Sequence, residues 1–154
     1  MVIGIFGISC TGKSTIASEI SNRINATIYI GKDYLRLAKN EADAKKSFIE
    51  LLTDSIDSEK NVIYVISEME HLSLLPDKAL RIFATADIDV VKERFSKRMN
   101  GVLPPPVAAM LESKYDMFAN ERYDVKVDTS TECAVENCNK IMKQFDMHHI
   151  GKGH

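Results

Sequence analysis

The chain has 154 residues, of which 45% are hydrophobic and 27% are charged, a composition typical of a globular protein with one core. Its formal net charge of −2 argues against a nucleic-acid partner and against binding to an anionic membrane surface. No apolar run approaches the ~18 residues of a membrane span, and a predicted strand begins at the second residue. We therefore expect a cytoplasmic protein without a leader segment.

Strand and helix patterns alternate along the chain. Apolar, β-branched runs predict strands, and apolar residues spaced three and four apart predict helices. In chain order the predicted elements are a strand over 2–6, a helix after residue 14, a strand over 27–30, a helix over 42–56, strands over 62–66 and 80–84, helices over 87–99 and 107–119, a strand over 123–127 and a helix over 131–144. This alternation is typical of an α/β fold in which helices cover both faces of a parallel sheet.

Three segments between or beyond these elements have distinctive compositions. Asp87 is placed to act as the N-cap of the helix that follows it. The three prolines within 101–106 predict an extended connection between two helices, since proline cannot continue a helix. Residues 146–154 are predicted to form a disordered tail, whose histidines either remain solvated or bind a metal. We expect one domain over 1–145, with a short lid around 98–122.

Residues 7–14, directly after the first strand, have the sequence GISCTGKS, which fits the phosphate-binding pattern G-x-x-x-x-G-K-[ST]. Its two glycines allow a tight turn whose amides point inward at a phosphate. Lys13 would reach the β- and γ-phosphates, and the Ser14 hydroxyl would bind Mg²⁺. A turn that binds nothing is the alternative, but the strand–loop–helix order favours a nucleotide site. The predicted nucleotide-binding residues are Gly7, Ser9, Cys10, Thr11, Gly12, Lys13, Ser14 and Thr15.

Charged residues follow the second and third strands, at the edge where open α/β sheets bind ligands. Asp33 and Arg36 are three residues apart and would share one face of a helical turn. Asp33 could hold Mg²⁺ or a substrate hydroxyl and Arg36 an acceptor phosphate, or the two could be a helix cap and a solvated arginine. Glu68 could orient the metal or the acceptor, or lie on a surface turn. His71 is predicted to be exposed and is given no role.

Arginines near the predicted lid are candidates for stabilising a transferring phosphate. Arg94 and Arg98 are four residues apart near the end of one helix, just before the prolines. A transition-state arginine is worth roughly 10³–10⁵ in rate, whereas the alternative is a basic helix end that complements the helix dipole. Arg122 precedes the last strand and is a further lid candidate. The predicted catalytic residues are therefore Lys13, Arg94, Arg98 and Arg122.

No metal or disulfide site is predicted at the three cysteines. Cys133 and Cys138 are five residues apart on a predicted helix, so their thiols do not share a face. Cys10 lies inside the glycine-rich loop, and no cysteine–histidine set has metal-ligand spacing. We expect all three thiols to be reduced.

The chain resembles the small nucleoside monophosphate kinases, particularly cytidylate kinases, and their shikimate- and adenylate-kinase relatives, over residues 1–130. Residues 7–15 resemble the P-loop of that family, and 32–36 (KDYLR) resemble its D-x-x-R acceptor element. Residues 75–86 (LPDKALRIFATA) are similar to the cytidylate-kinase strand that leads into the lid helix. The resemblance implies ATP as phosphate donor, Mg²⁺ as cofactor, and lid arginines at Arg94, Arg98 and Arg122.

One departure from that family concerns the acceptor. Cytidylate kinases have Gly-Arg-Asp after the central strand, where the arginine helps to hold the acceptor phosphate, whereas residues 67–69 here are Ser-Glu-Met. The chain is also too short for that family's additional acceptor-binding insert. An acid in place of a cation weakens the attraction for an anionic acceptor, which argues against CMP itself.

Together these observations predict a three-layer α/β/α fold with a five-stranded parallel sheet of order 2-3-1-4-5. The predicted function is ATP- and Mg²⁺-dependent phosphoryl transfer to a small molecule, first of all a nucleoside monophosphate, by a monomer or homodimer. One alternative is a nucleotide-binding switch with little transferase activity. Others are a kinase for a hydroxyl acceptor such as shikimate and a nucleic-acid kinase, which the acidic balance disfavours.

Overall fold

The computed structural model of the chain describes residues 1–152, with side chains described up to Met147. The strands are β1 (Val2–Phe6), β2 (Ala26–Ile30), β3 (Asn61–Ile66), β4 (Leu80–Thr85) and β5 (Val125–Asp128). The helices are α1 (Lys13–Ile24), α2 (Glu41–Ile56), α3 (Met69–Leu72), α4 (Ile88–Arg98), α5 (Pro105–Lys114) and α6 (Ala134–Lys152), with a 3₁₀ turn over Asp33–Leu37.

The five strands form one sheet of order β2-β3-β1-β4-β5, and every neighbouring pair is parallel. The predicted fold class and strand order are therefore confirmed. Phe6, the last residue of β1, pairs with Ile66 of β3 and with Phe83 of β4. Because all strands run the same way, the segments that follow β1, β2 and β3 meet at one edge of the sheet.

Alternate residues of each central strand enter two separate cores, as the twofold periodicity of a strand requires. Ile3 and Ile5 of β1 pack with Ile16 and Ile20 of α1 and with residues of α6 such as Ile141. The opposite face of β1 packs against α2, α4 and α5. The sheet is thus covered by helices on both sides.

The structure corrects the predicted boundaries around the prolines. α5 begins at Pro105, so two of the three prolines lie in the first helical turn, where no amide donor is needed. Only Pro104 is extended, with φ −60° and ψ 142°. α5 ends at Lys114, whereas the prediction continued it to residue 119. Beyond it Tyr115 donates a hydrogen bond to the carbonyl of Ala86 at 2.8 Å and anchors the following turns.

Two further boundaries differ from prediction. Asp87 does occupy the N-cap position of α4, but its side chain makes no capping hydrogen bond. α6 continues beyond residue 144 to Lys152, because Phe145 still packs against the core. The histidines of the predicted tail lie outside the residues whose side chains are described, and the single domain over 1–145 with its lid stays a prediction. Within the described range no helix is long and apolar enough to cross a membrane.

Candidate functional site

The glycine-rich loop leaves β1 at the carboxyl edge of the sheet and leads directly into α1. The amide of Gly7 donates to the carbonyl of Ile66 at 3.2 Å, and a side chain at Gly7 would overlap the carbonyl oxygen of Ala84. Cys10 and Gly12 adopt left-handed backbone conformations, with φ 65° and φ 80°. Such a turn beside a helix N-terminus forms a concavity suited to an anion.

Lys13 is folded into this loop. Its side chain is only 5% exposed, and its amine donates hydrogen bonds to the carbonyl of Ile8 and, at 3.4 Å, to the hydroxyl of Thr11. Burial, with a smaller effect from the positive charge of Arg98, lowers the pKa of Lys13 from 10.5 to about 8. Since the hydrogen-bond partners of this amine are uncharged oxygen atoms, its positive charge would be stabilised by a neighbouring anion.

Arg94 connects the loop to the segment that follows β5, the edge strand of the sheet, through hydrogen bonds. Its guanidinium donates to the carbonyl of Cys10 at 3.1 Å, to the hydroxyl of Thr129 at 2.9 Å and to the carbonyl of Thr129 at 2.8 Å. The Thr129 hydroxyl in turn donates to the carbonyl of Thr11 at 2.9 Å. In this structure Arg94 therefore fixes the shape of the loop, which is a positioning role beside the predicted catalytic one.

Thr129 was not identified from the sequence. It directly follows β5, so it lies at the same carboxyl edge as the loop. A polar residue immediately after the last parallel strand was the available signal. Beyond the loop, the predictions at this edge concern only charged residues after β2 and β3, and they therefore do not include Thr129.

Two clefts open on either side of the loop. The first, here called the α4–α6 cleft, has a volume of about 430 Å³ and is lined by residues that include Gly12, Thr15, Arg94, Thr129, Cys133 and Ala134. The second, the β2–β3 cleft, has a volume of about 220 Å³ and is lined by residues that include Ser9, Lys13, Ser14, Ile30 and Ser67. Arg98, which is exposed, lines both clefts, so the predicted lid arginine stands where they meet.

The predicted acceptor residues lie near the β2–β3 cleft but make local contacts. Asp33 is exposed and accepts a hydrogen bond from the amide of Ile30 at 2.9 Å. The Arg36 guanidinium lies 4.8 Å from the ring centre of Tyr29, a cation–π arrangement. Glu68 is exposed at the N-cap of α3. Ile30 itself lines the cleft, so this segment does reach the loop.

His71 differs from its prediction as an exposed turn residue: it is 3% exposed. Its ring lies 6.0 Å from that of Tyr34 and 6.3 Å from that of Tyr64. The Tyr64 hydroxyl donates to the carbonyl of Gly31 at 2.8 Å, and burial is the largest cause of its raised pKa. These side chains therefore pack the segment after β2 against the segment after β3.

The structure does not place Arg122 beside the loop, and its predicted catalytic role stays a prediction. Arg122 donates to the carbonyl of Asp77 at 3.3 Å, and its side chain is 63% exposed. Asp77 precedes β4 and Arg122 precedes β5. Residues that precede parallel strands lie at the edge opposite to those that follow them, so Arg122 is remote from the loop.

No cluster of three or more histidine, cysteine, aspartate or glutamate side chains in the described part of the chain could hold a metal ion. Mg²⁺ does not require one, because it is commonly held by one or two protein oxygens together with substrate phosphates. Ser14 is exposed at the first turn of α1 and lines the β2–β3 cleft. Its hydroxyl is thus accessible from that cleft.

No protein-family model matches the chain, and no curated protein sequence matches it. Solved structures do match it. Shikimate kinase from Aquifex aeolicus has a TM-score of 0.57 at 20% identity, over 98% of this chain and 99% of that chain. Deoxyadenosine kinase from M. mycoides has a TM-score of 0.59 at 16% identity, over 96% and 99%. A gluconokinase from Sinorhizobium meliloti has a TM-score of 0.59 at 14% identity, over 95% and 91%. The chain has the fold of the P-loop small-molecule kinases.

Proposed function

We propose that the chain transfers the γ-phosphoryl group of ATP to a small-molecule acceptor. The observation that supports this most directly is the position of Lys13, a buried cation inside a left-handed loop that separates two clefts joined at Arg98. A phosphate chain laid along the loop would have one cleft at each end. That is the arrangement required when one group is transferred between two bound molecules.

The α4–α6 cleft is the better place for the nucleoside of ATP. Its volume is about 430 Å³ against about 220 Å³ for the β2–β3 cleft. It also combines apolar walls at Ile16 and Ala134 with the polar Glu132, a mixture suited to a base and a ribose. The γ-phosphate would then lie toward Lys13 and the β2–β3 cleft, on the side of the acceptor.

Each charged or polar residue near the loop would have a separate role in the transfer. The Lys13 amine would leave the carbonyl of Ile8, bind the phosphates and regain its full charge. Arg98 would neutralise the charge that develops between donor and acceptor. Ser14, with Asp33 beyond it, would hold Mg²⁺. When bound, that ion would supply positive charge that offsets the charge of the phosphates. Closure of the segment after Arg98 would exclude water from the reacting groups.

The first acceptor to test is a nucleoside monophosphate. Its phosphate would be bound by Arg36, which must first leave the ring of Tyr29. The deoxyadenosine kinase structure that matches this chain holds the products dCMP and dCDP, so a protein of this fold binds nucleotides of that size.

A second candidate is an acceptor that receives the phosphoryl group on a hydroxyl and carries no phosphate of its own, of the kind named by the matching shikimate kinase and gluconokinase. The observation that favours it is the charge on the acceptor side. Glu68 and Asp33 are exposed there, and Arg36 is engaged by an aromatic ring. An acceptor with one carboxylate or no charge would meet less repulsion from Glu68 and Asp33 than a phosphate monoester, which carries more negative charge, would.

ADP release measured with a panel of nucleoside monophosphates, nucleosides, shikimate and gluconate tests the proposal. We expect one class of acceptor to raise the rate well above basal hydrolysis, and Lys13→Met to abolish that rise while folding cooperatively. Lys46→Met, which alters an exposed lysine on α2, is the matched control and should behave as wild type. If ATP binds but no acceptor accelerates ADP release, the protein is a nucleotide-dependent switch. Full activity in Lys13→Met would overturn the assignment.

A further inference from the structure

We infer that the chain has a second anion site, separate from the phosphate loop, in a groove between α3 and β4 where Arg81 binds the carboxylate or phosphate group of a small, partly apolar molecule. This inference does not depend on the proposed kinase activity. It rests on the burial of Arg81, on its incomplete set of partners and on the groove that it lines.

Arg81 is a buried cation without an ion-pair partner. It is 9% exposed, although arginine is rarely buried unless it is paired. Its Nη2 donates only to the carbonyls of Leu75 and Pro76, at 3.4 and 3.5 Å, and its buried Nε has no hydrogen-bond partner. Among the described residues, no carboxylate lies within 4.0 Å of this guanidinium. A buried donor left unpaired in this way is costly unless a ligand completes it.

The acids around Arg81 are directed elsewhere. The Asp124 carboxylate accepts a hydrogen bond from the backbone amide of Arg81 at 2.8 Å. The Asp77 side chain is 99% exposed and lies 4.0 Å from Arg122. Glu121 lines the groove. Burial and then the charge of Arg122 lower the pKa of Arg81, despite the opposing effect of the three acids. The guanidinium is therefore still short of negative charge.

The groove itself has the size and lining of a ligand site. Its volume is about 380 Å³, and its walls include Met69, Leu72 and Leu75 beside the polar Ser73. Pockets of this size hold small organic ligands whose polar group is fixed by one or two side chains. An arginine fork at one end and apolar walls along the sides select an oxyanion that has a hydrocarbon body.

The strand register separates this groove from the phosphate loop. Arg81 pairs with Gly4 of β1, which is three residues, or about 10 Å along a strand, before Gly7. A side chain at Gly4 would overlap Leu75, so this glycine allows Leu75 to approach the sheet and form the groove wall. The guanidinium extends toward the carbonyl of Pro76, at the amino edge of the sheet and away from Lys13.

Side-chain NMR and calorimetry on the full chain test the site, with benzoate and phenyl phosphate as the two probes. In wild type we expect one arginine Nε–H signal, absent from Arg81→Met, to shift and saturate with a dissociation constant of about 1 mM or tighter. Saturation by benzoate alone identifies a carboxylate site, and saturation by phenyl phosphate alone identifies a phosphate site. Saturation by both identifies a general oxyanion site.

Two variants separate this site from the phosphate loop. Arg81→Met should bind the effective probe at least tenfold more weakly, and Arg81→Lys, which keeps the charge but loses the fork, should bind it with intermediate affinity. Lys13→Met is the matched control and should retain wild-type affinity at this site. If neither probe shifts the Arg81 signal, or if Arg81→Met binds both probes as wild type does, the inference is wrong.

Discussion

Lys13 should make the nucleotide-free protein more stable as the pH rises. In the folded chain its pKa is about 8, against 10.5 for an exposed lysine. Between these values the unfolded chain binds more protons than the folded chain, so the free energy of unfolding increases with pH. The stabilisation is complete above pH 10.5 and is lost as the pH falls through 8. From about pH 7.5 to about pH 9.5 we expect a gain of about 2 kcal/mol from this residue.

Urea denaturation of wild type and Lys13→Met at a series of pH values isolates this effect. Burial raises the pKa values of Tyr64 and Cys138, so these two groups lower stability as the pH rises. They are present in both proteins, and their contribution cancels in the difference between wild type and variant. We expect wild type to gain about 2 kcal/mol relative to Lys13→Met over this range. Parallel pH profiles would refute the reasoning, because they would mean that Lys13 is not desolvated in the free protein.

Other substitutions test the remaining assignments. Arg98→Ala should lower kcat at least about tenfold with a smaller change in ATP affinity; the opposite pattern in kinetics and calorimetry would make Arg98 a ground-state binding residue. Arg94→Met should lower the free energy of unfolding by about 2 kcal/mol in urea, since three hydrogen bonds are lost, and an unchanged value would contradict its positioning role. Arg122→Ala should leave the transfer rate within about twofold of wild type, and a larger loss would return it to the site. Gly7→Ala should abolish ATP binding in a titration, because the added carbon overlaps the carbonyl of Ala84, and retained binding would contradict the loop geometry.

The parts of the fold that could be predicted are those encoded locally. Residues 2–14 contain a strand, a turn with two glycines and a helix start in one contiguous stretch, and the structure has these elements in that order. The sheet order followed from the alternation of elements together with the family resemblance. A boundary such as the start of α5 was harder, because proline ends one helix and begins another with equal ease.

The parts of the site that could not be predicted depend on contacts between distant residues. His71 lies in a polar stretch of the sequence, and it is buried because the rings of Tyr34 and Tyr64 pack beside it in the fold. The unpartnered Nε of Arg81 likewise could not be predicted from a sequence that places this arginine among ordinary strand residues. Arg122 is a different case: its position before a strand was already informative, but the resemblance to a lid arginine was given more weight.

The hydrogen bonds of Thr129 have a consequence for how the protein is made. Residues 7–14 are synthesised before β4 and β5, yet the close contact at Gly7 comes from β4 and the bond to Thr11 comes from residue 129, which is 118 positions later. β1 is the middle strand of the sheet and must wait for partners on both sides. The glycine-rich loop is therefore translated before the segments that complete it. Nucleotide binding should report the assembly of the entire sheet, and a nascent chain that ends before β5 would display the motif without the binding site.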